Sequence, residues 1–451
     1  VSALRGDELP WVGTEVPGPR ARGWVERLAL SECPALTARR RRRAELSGTD
    51  HDPIVWTQAR GPLVLDVDGN RYCDWTAGFG VALLGHSHPA VVAAVQAQAG
   101  RMMHALGDVH PSDRKVALEE ALARRAPWPD AKVILGLSGA DAIEAALKSA
   151  VLASGRAGII AFEGGYHGLA HGPLAACGYS ERFRAPFAGQ LNAEVTFVPY
   201  PAEGDPGAIE RAIDGVRGAL STGRFGAVLA EPILGRGGVV VGDGRAMGEI
   251  VVAARAVGAV TIADEIYTGC FRCADGWSMA ARAWTATPDI VVLGKALGGG
   301  VPLSACVMRD EVARAWGDPA GEAVHTSTFL GNPLACAAGL AVVELLDTPA
   351  IQREIRVQGE LFLAEVLDPV LRDPACGVRA IGGRGMLLGL ALDGGLARVL
   401  AAMRALLERG YVVLPGGTRG DQLTFTPPAA LTGPQRAHGG ATLRDVLSKV
   451  R

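Results

Sequence analysis

Seven short apolar runs, Val133–Leu135, Ile159–Phe162, Val195–Val198, Ala227–Ala230, Val260–Ala263, Ile290–Leu293 and Ser304–Val307, recur through the middle of the chain. They are rich in Val and Ile and too short for helices, and the stretches between several of them carry helical periodicity, as at Ala140–Ala153 and Met247–Val257. Continuous apolar runs fit strands buried on both faces. Parallel neighbours need long crossovers, usually helical, which the intervening stretches supply. The chain is therefore expected to form an α/β layer structure around a mostly parallel sheet. In such sheets ligands collect beyond the carboxyl ends of the strands, so the residues just past those ends come first.

The chain has 451 residues, enough for two domains with substantial cores. An apolar fraction of 49% and a net charge of −2 fit neither disorder nor a general attraction to nucleic acid. Eight cysteines, at 33, 73, 177, 270, 273, 306, 336 and 376, are scattered; the close pair Cys270 and Cys273 has no second pair at zinc-ligand spacing. Scattered thiols without a framework fit a reducing compartment. The longest apolar candidate, around Ile250 to Ala263, is interrupted by Arg255, and the N-terminus lacks the plan of a signal peptide. The expectation is a soluble, cytoplasmic protein without nucleic-acid or membrane partners.

Residues 1 to about 23 read as an extended arm. A helical pattern from Trp24 to Leu46, broken near Pro34, carries Arg39 to Arg43 in succession. With no aromatic residue interleaved, these arginines read as a solvated helix face rather than an anion-binding patch. Pro53 to Trp75 reads as a β-meander with a turn at Asp68-Gly69-Asn70. A glycine-punctuated loop, Thr76 to Pro89, follows; its histidines His86 and His88 read as structural, with no carboxylate partner evident and no metal implied. After Leu345 the pattern changes: a helical stretch (Glu344 to Leu371), strands near Arg384 to Leu392, a helix (Leu396 to Arg409) and a strand (Tyr411 to Leu414). This predicts three segments, 1–75, 76–345 and 346–451, the first and last joining in a smaller α+β domain beside a large central one. No internal repeat is visible.

Chemistry gathers at five strand ends. Ile290–Leu293 runs out through Gly294 into Lys295, and Gly298, Gly299 and Gly300 follow. A lone loop lysine is ordinarily solvated. One held where a buried strand meets a glycine turn is partly desolvated, which lowers its pKa and frees an amine for Schiff-base chemistry. Ser138, Gly139 and Ala140 open a helix whose first N–H groups suit an anion. In E-G-G-Y-H-G the glycines present Tyr166, whose ring suits stacking on a flat heterocycle. Glu231 ends a buried strand before proline, and Asp264 ends another, where a buried carboxylate needs a partner such as a protonated pyridine nitrogen. Each feature alone has an ordinary structural reading. Together they are the parts that hold pyridoxal 5′-phosphate (PLP), whose ring, kept protonated by an acid, draws electrons from a substrate carbanion.

The motifs D-V-D-G-N-R-Y, S-G-A-D-A-I-E-A-A-L-K, F-E-G-G-Y-H-G, E-P-I-L-G-R-G-G, D-E-I-Y-T-G, L-G-K-A-L-G-G-G-V-P and T-F-L-G-N-P-L-A occur in that order between Val67 and Pro428. With them the chain resembles the class III (ω-type) PLP-dependent aminotransferases of fold type I, close in pattern to the 4-aminobutyrate and ornithine enzymes. The resemblance implies that Ser138, Gly139 and Ala140 meet the cofactor phosphate. It puts Tyr166 and Ile266 on opposite faces of the ring, with His167 beside them and Asp264 at the ring nitrogen. Lys295 would form the Schiff base and shuttle the proton, with Glu231 and Asp264 completing the catalytic set. Thr328 would reach the phosphate of a second subunit, so the resemblance implies a homodimer with shared sites.

Departures from the family pattern fall on the substrate side. The Glu of E-P-x-x-G-E-G-G is here Arg236, and the Arg two residues before the C-terminal P-P is Thr424. Leu169 stands where bacterial 4-aminobutyrate enzymes have Arg. Tyr267 replaces the Gln that reaches the ring hydroxyl, and Phe79 makes the pocket more apolar. Arg236 has two readings, a cation for a substrate carboxylate or an ion pair across the dimer. The implied reaction moves an amino group from an ω-amino acid, amine or amino acid to a keto acid in a ping-pong sequence. The alternative is a racemase or aminomutase on the same fold. A non-catalytic module is disfavoured by the joint presence of Lys295, Asp264 and Glu231.

Overall fold

In the computed structural model, which describes residues 4–273, 276–317 and 322–450, all seven apolar runs lie in one sheet. The first three residues of the expected arm lie outside the described residues. From edge to edge the strands are Lys132–Gly136, Ser304–Met308, Ile290–Leu293, Val260–Asp264, Phe225–Ala230, Gly158–Phe162 and Val195–Val198. Ser304–Met308 runs against both its neighbours; the other pairings are parallel. The central strands are buried along their whole length, as their unbroken apolar sequences require.

The helix Gly139–Ser154 follows the first strand. Ser138 caps it by accepting the Asp141 N–H on Oγ at 3.2 Å, and Gly155 closes it in the left-handed conformation at φ 67°. Its buried face is mostly alanine, with Ile143 and Leu147, and packs with Ile159, Leu229, Ile262, Ile290 and Val292 of the sheet. These elements belong to a compact unit spanning Pro89–Arg353.

The second unit combines the described residues of Val1–His88 with Glu354–Arg451. Trp56–Arg60, Leu63–Asp66 and Arg71–Asp74 form the expected antiparallel meander, and Tyr411–Val412 adds a parallel fourth strand. A second sheet has the order Val378–Arg384, Leu387–Leu392, Gln422–Phe425, Leu414–Gly416. Trp75, fully buried, holds the core between Tyr411 at 4.4 Å, Phe362 at 5.4 Å and Phe425 at 5.8 Å between ring centroids. The Thr76–His88 loop lies with this unit because Asp74 ties it down. The Asp74 carboxylate accepts the N–H groups of Thr76 and Gly78 and pairs with His86 Nε2 at 2.8 Å.

Several sequence expectations are revised. His86 does have a carboxylate partner, Asp74, although it is distant in sequence. The helical stretch from Glu344 is interrupted: Pro333–Leu346 ends before Pro349–Phe362 begins, because the residue before a proline is driven out of the helical region. The strand Tyr411–Leu414 is two strands in different sheets, parting at Val413. The helices Pro19–Ser31 and Pro34–Ser47 match the expected pair, although the first begins inside the expected arm. Arg39, Arg41 and Arg42 are exposed, while Arg40 pairs with Glu32 and Asp52. Among the described residues no single helix is long and apolar enough to cross a membrane.

Candidate active site

Because the strands ending at Gly136, Phe162, Ala230, Asp264 and Leu293 point the same way, their following residues share one edge of the sheet. Lys295 stands there at φ 42°, unusual for a residue with a side chain. Such a conformation costs about 1–3 kcal/mol and persists only where the surroundings impose it. The Nζ lies 3.9 Å from the centre of the Tyr267 ring. Burial lowers the amine pKa to about 8; Asp264 and Glu231 oppose that shift, and Arg272 and Arg236 reinforce it.

Asp264 is buried at the end of its strand. Its Oδ1 accepts the Ile266 N–H at 3.1 Å, and its Oδ2 lies 2.8 Å from His167 Nδ1. A carboxylate only accepts, so Nδ1 carries the hydrogen. The other ring nitrogen, Nε2, is buried without a hydrogen-bond partner among the described residues.

Glu231 ties two loops together. Its Oε1 accepts the Tyr166 N–H at 2.8 Å and its Oε2 accepts the Gly235 N–H at 3.0 Å. Burial raises its pKa to about 7, with nearby Asp264 pushing the same way and His167 and the two N–H groups opposing. Gly235 and Gly237 flank Arg236 for steric reasons. A Cβ at Gly235 would stand 2.6 Å from the Tyr267 ring, and one at Gly237 would stand 2.5 Å from the Gly164 carbonyl. Arg236 is exposed, with its Cζ 4.4 Å from the Tyr166 ring centre and 5.0 Å from that of Tyr179.

At the helix opening, Gly139 and Ala140 occupy the first turn, where N–H groups lack intrahelical acceptors. Ile266 fills the space beside Gly139: a Cβ there would meet its Cδ1 at 2.7 Å. Gly168, at φ 118°, packs on Ala140 and draws the Tyr166–His167 loop to the helix end. The edge of this one unit thus gathers Ser138, Gly139, Ala140, Tyr166, His167, Glu231, Arg236, Asp264, Ile266, Tyr267 and Lys295. Thr328, on the same unit, is exposed.

Phe79 and Thr424 belong to the other unit. Phe79 sits at φ 63° in a turn whose four residues, Ala77 to Gly80, all have positive φ, and its side chain is 63% exposed. Thr424 is buried on its strand, facing Gly416, and its hydroxyl has no partner among the described residues. Three residues near the site escaped the sequence reading. Tyr179 shares Arg236 with Tyr166, Tyr200 donates its hydroxyl to the Glu231 carbonyl at 2.8 Å, and Arg272 is a buried cation acting on Lys295. Tyr200 does stand two residues past the strand Val195–Val198, but Tyr179 and Arg272 follow no strand end directly and carry no periodic signal. An arginine just past D-E-I-Y-T-G was the one legible hint.

The family described as Aminotransferase class-III matches residues 46–447. The acetylornithine aminotransferase of Methanosarcina acetivorans is 32% identical over 380 residues, covering 84% of this chain and 88% of that one. The [LysW]-aminoadipate semialdehyde transaminase of Deinococcus radiodurans is 33% identical, with 89% and 87% covered. The diaminobutyrate–2-oxoglutarate aminotransferase of Haemophilus influenzae is 35% identical, with 75% of each chain covered. A PMP-bound aminotransferase from Vibrio fluvialis superposes with a TM-score of 0.83 at 21% identity, covering 95% of this chain and 98% of that one, and shares the fold. A family match over most of the chain and relatives of this similarity agree with the geometry at the sheet edge: the chain belongs to the class III aminotransferases, PLP-dependent enzymes of fold type I.

Proposed function

We propose that this enzyme takes the amino group from an ω-amino acid or related amine and passes it to a keto acid in two half-reactions, with Lys295, Asp264 and Glu231 as its catalytic residues. The relatives named for acetylornithine, aminoadipate semialdehyde and diaminobutyrate support the ω-amino preference. The observation that carries the reading is Asp264. Among the described residues its buried carboxylate accepts from Ile266 and His167 and makes no Lys or Arg ion pair, and the amine of Lys295 stands at the same edge.

That arrangement fits PLP. Asp264 would hold a protonated ring nitrogen, and Lys295 would be the amine that meets the cofactor's aldehyde. The N–H groups of Gly139 and Ala140, with the Ser138 cap, would bind the phosphate. Tyr166 and Ile266 would flank the ring, and His167 and Tyr267 would complete its polar contacts. When bound, PLP supplies the electron-withdrawing ring that takes up the electron pair left at the substrate Cα. Asp264 keeps the ring-nitrogen proton in place. Lys295 Nζ, neutral above about pH 8, removes the Cα proton. Glu231 holds Tyr166 and the Arg236 loop in register with them.

The working unit in this reading is a homodimer, in which Thr328 reaches the phosphate of the second subunit. Supporting it, Met103, Leu106, Val109 and Phe329 are each more than half exposed. Phe329 lies 5.2 Å from the His104 ring, and Asn332 donates to the Met103 carbonyl at 3.1 Å, so they share a surface next to Thr328. An apolar patch of this kind suits a second copy. Eight free cysteines, seven of them buried, support a cytoplasmic location.

The test is a half-reaction. Purified holoenzyme mixed with N-acetylornithine or 2,4-diaminobutyrate alone, with no acceptor, should lose its aldehyde-form absorbance and gain that of the amine form. Loss of optical rotation with an unchanged cofactor spectrum would mean racemisation instead, and no response to any ω-amine would remove the proposal.

A further inference from the structure

We infer that Arg236 is a carboxylate receptor, so that this enzyme selects substrates bearing a carboxylate through the loop between the strand Ile233–Leu234 and the strand Val240–Val241. This deepens the transaminase reading and rests on it. Among the described residues Arg236 makes no ion pair and no hydrogen bond, although its unit carries many acidic side chains. An unpaired surface arginine is ordinarily loose. This one is held: its guanidinium lies over Tyr166 at 4.4 Å and Tyr179 at 5.0 Å, and Tyr179 is itself stacked on Phe183 at 5.8 Å.

The backbone is fixed as well. Gly235 donates to Glu231 at 3.0 Å, and Gly235 and Gly237 fit closely against Tyr267 and Gly164, where a Cβ could not be accommodated. Two of these contacts, Tyr166 and Tyr267, are side chains already placed at the reaction centre, and the charge of Arg236 is felt at Lys295. The two ring planes stand at 88° to each other, so the tyrosines hold the guanidinium from two directions and leave its N–H edge without an acceptor among the described residues. That edge is a planar fork matched to the two oxygens of a carboxylate. A guanidinium pre-set in this way loses less freedom on binding than a solvated one. The ligand class is therefore a carboxylate anion on the amino donor, the keto-acid acceptor, or both.

The experiment compares half-reactions of holoenzyme with ω-amino acids and with carboxylate-free amines of equal chain length. In Arg236→Ala the ratio of kcat/KM for the carboxylated donor to that for the plain amine should fall about tenfold to a hundredfold, the range for a hydrogen-bonded charge contact, with the loss in KM. Glutarate, which cannot react, should bind the variant holoenzyme about tenfold more weakly by calorimetry, and Arg236→Lys should recover part of the loss. An unchanged ratio with unchanged glutarate affinity overturns the inference, as does an equal fall for both donor classes. If wild-type holoenzyme converts neither donor class, the transaminase reading fails instead.

Discussion

His167 Nδ1 donates to Asp264 Oδ2 at 2.8 Å, although the two residues are 97 positions apart. The contact fixes a buried carboxylate that has no Lys or Arg at ion-pair distance among the described residues. His167→Ala should leave that acceptor unsatisfied, at about 1–3 kcal/mol, and weaken cofactor retention. Asp264→Asn should be far worse for turnover, by several orders of magnitude, because an uncharged ring is a poor electron sink. Cofactor titration by absorbance and single-turnover rates measure both. A loss below about tenfold in Asp264→Asn, roughly 1.4 kcal/mol of barrier, would mean that another group protonates the ring.

Lys295→Ala should abolish turnover and remove the site of borohydride labelling while leaving a folded protein. Because Lys295 sits at positive φ, Lys295→Gly should be more stable than Lys295→Ala by about 1 kcal/mol. Peptide mass mapping checks the label and thermal melts check the order of the two variants. Labelling at another lysine would contradict the assignment.

The same lysine sets a pH dependence. With its pKa lowered to about 8, the amine is neutral above that value and protonated below it. The rate at which cofactor-free protein captures PLP should therefore rise up to about pH 8 and then level off. A rate still climbing at pH 10 would mean an unperturbed lysine.

Glu231 makes a stability prediction of the opposite sign. Its pKa is raised from 4.5 to about 7, so the folded state keeps the proton over a window in which the unfolded chain has lost it. Its contribution to stability should fall as pH rises through that window. Glu231→Gln removes the titration, so the wild type should lose about 1 kcal/mol or more relative to the variant between pH 5 and 7. Melting curves at both values test this, and parallel pH profiles would count against it.

The proposed dimer is tested separately. Val109→Asp and Leu106→Glu, on the exposed patch, should shift sedimentation toward monomer and lower activity together. Thr328→Ala should weaken cofactor binding about tenfold, as expected for one lost phosphate hydrogen bond, while leaving the association state intact. A fully active monomer would rule the shared site out.

Most of the main sheet was legible in the sequence. Seven short apolar runs, the central ones buried along their whole length, can be little other than strands, and helical spacers between several of them favour parallel pairing, with Ser304–Met308 the antiparallel exception. Lys295, Asp264, Glu231 and Ser138 could be singled out because each stands just past the end of such a run. The breaks at Val413 and before Pro349, and the partner of His86, were not legible, since turn geometry and long-range pairing leave no period in the chain. Only the tertiary structure decided which loops touch. The order of the strands, not their sequence, brings Tyr166 and Gly235 to the two oxygens of Glu231, His167 to Asp264, and the tyrosines Tyr166 and Tyr179 under Arg236. Local composition sets what each segment becomes, because propensity and burial act over a few residues. The encounters that give those side chains their partners depend on packing between segments far apart in the chain.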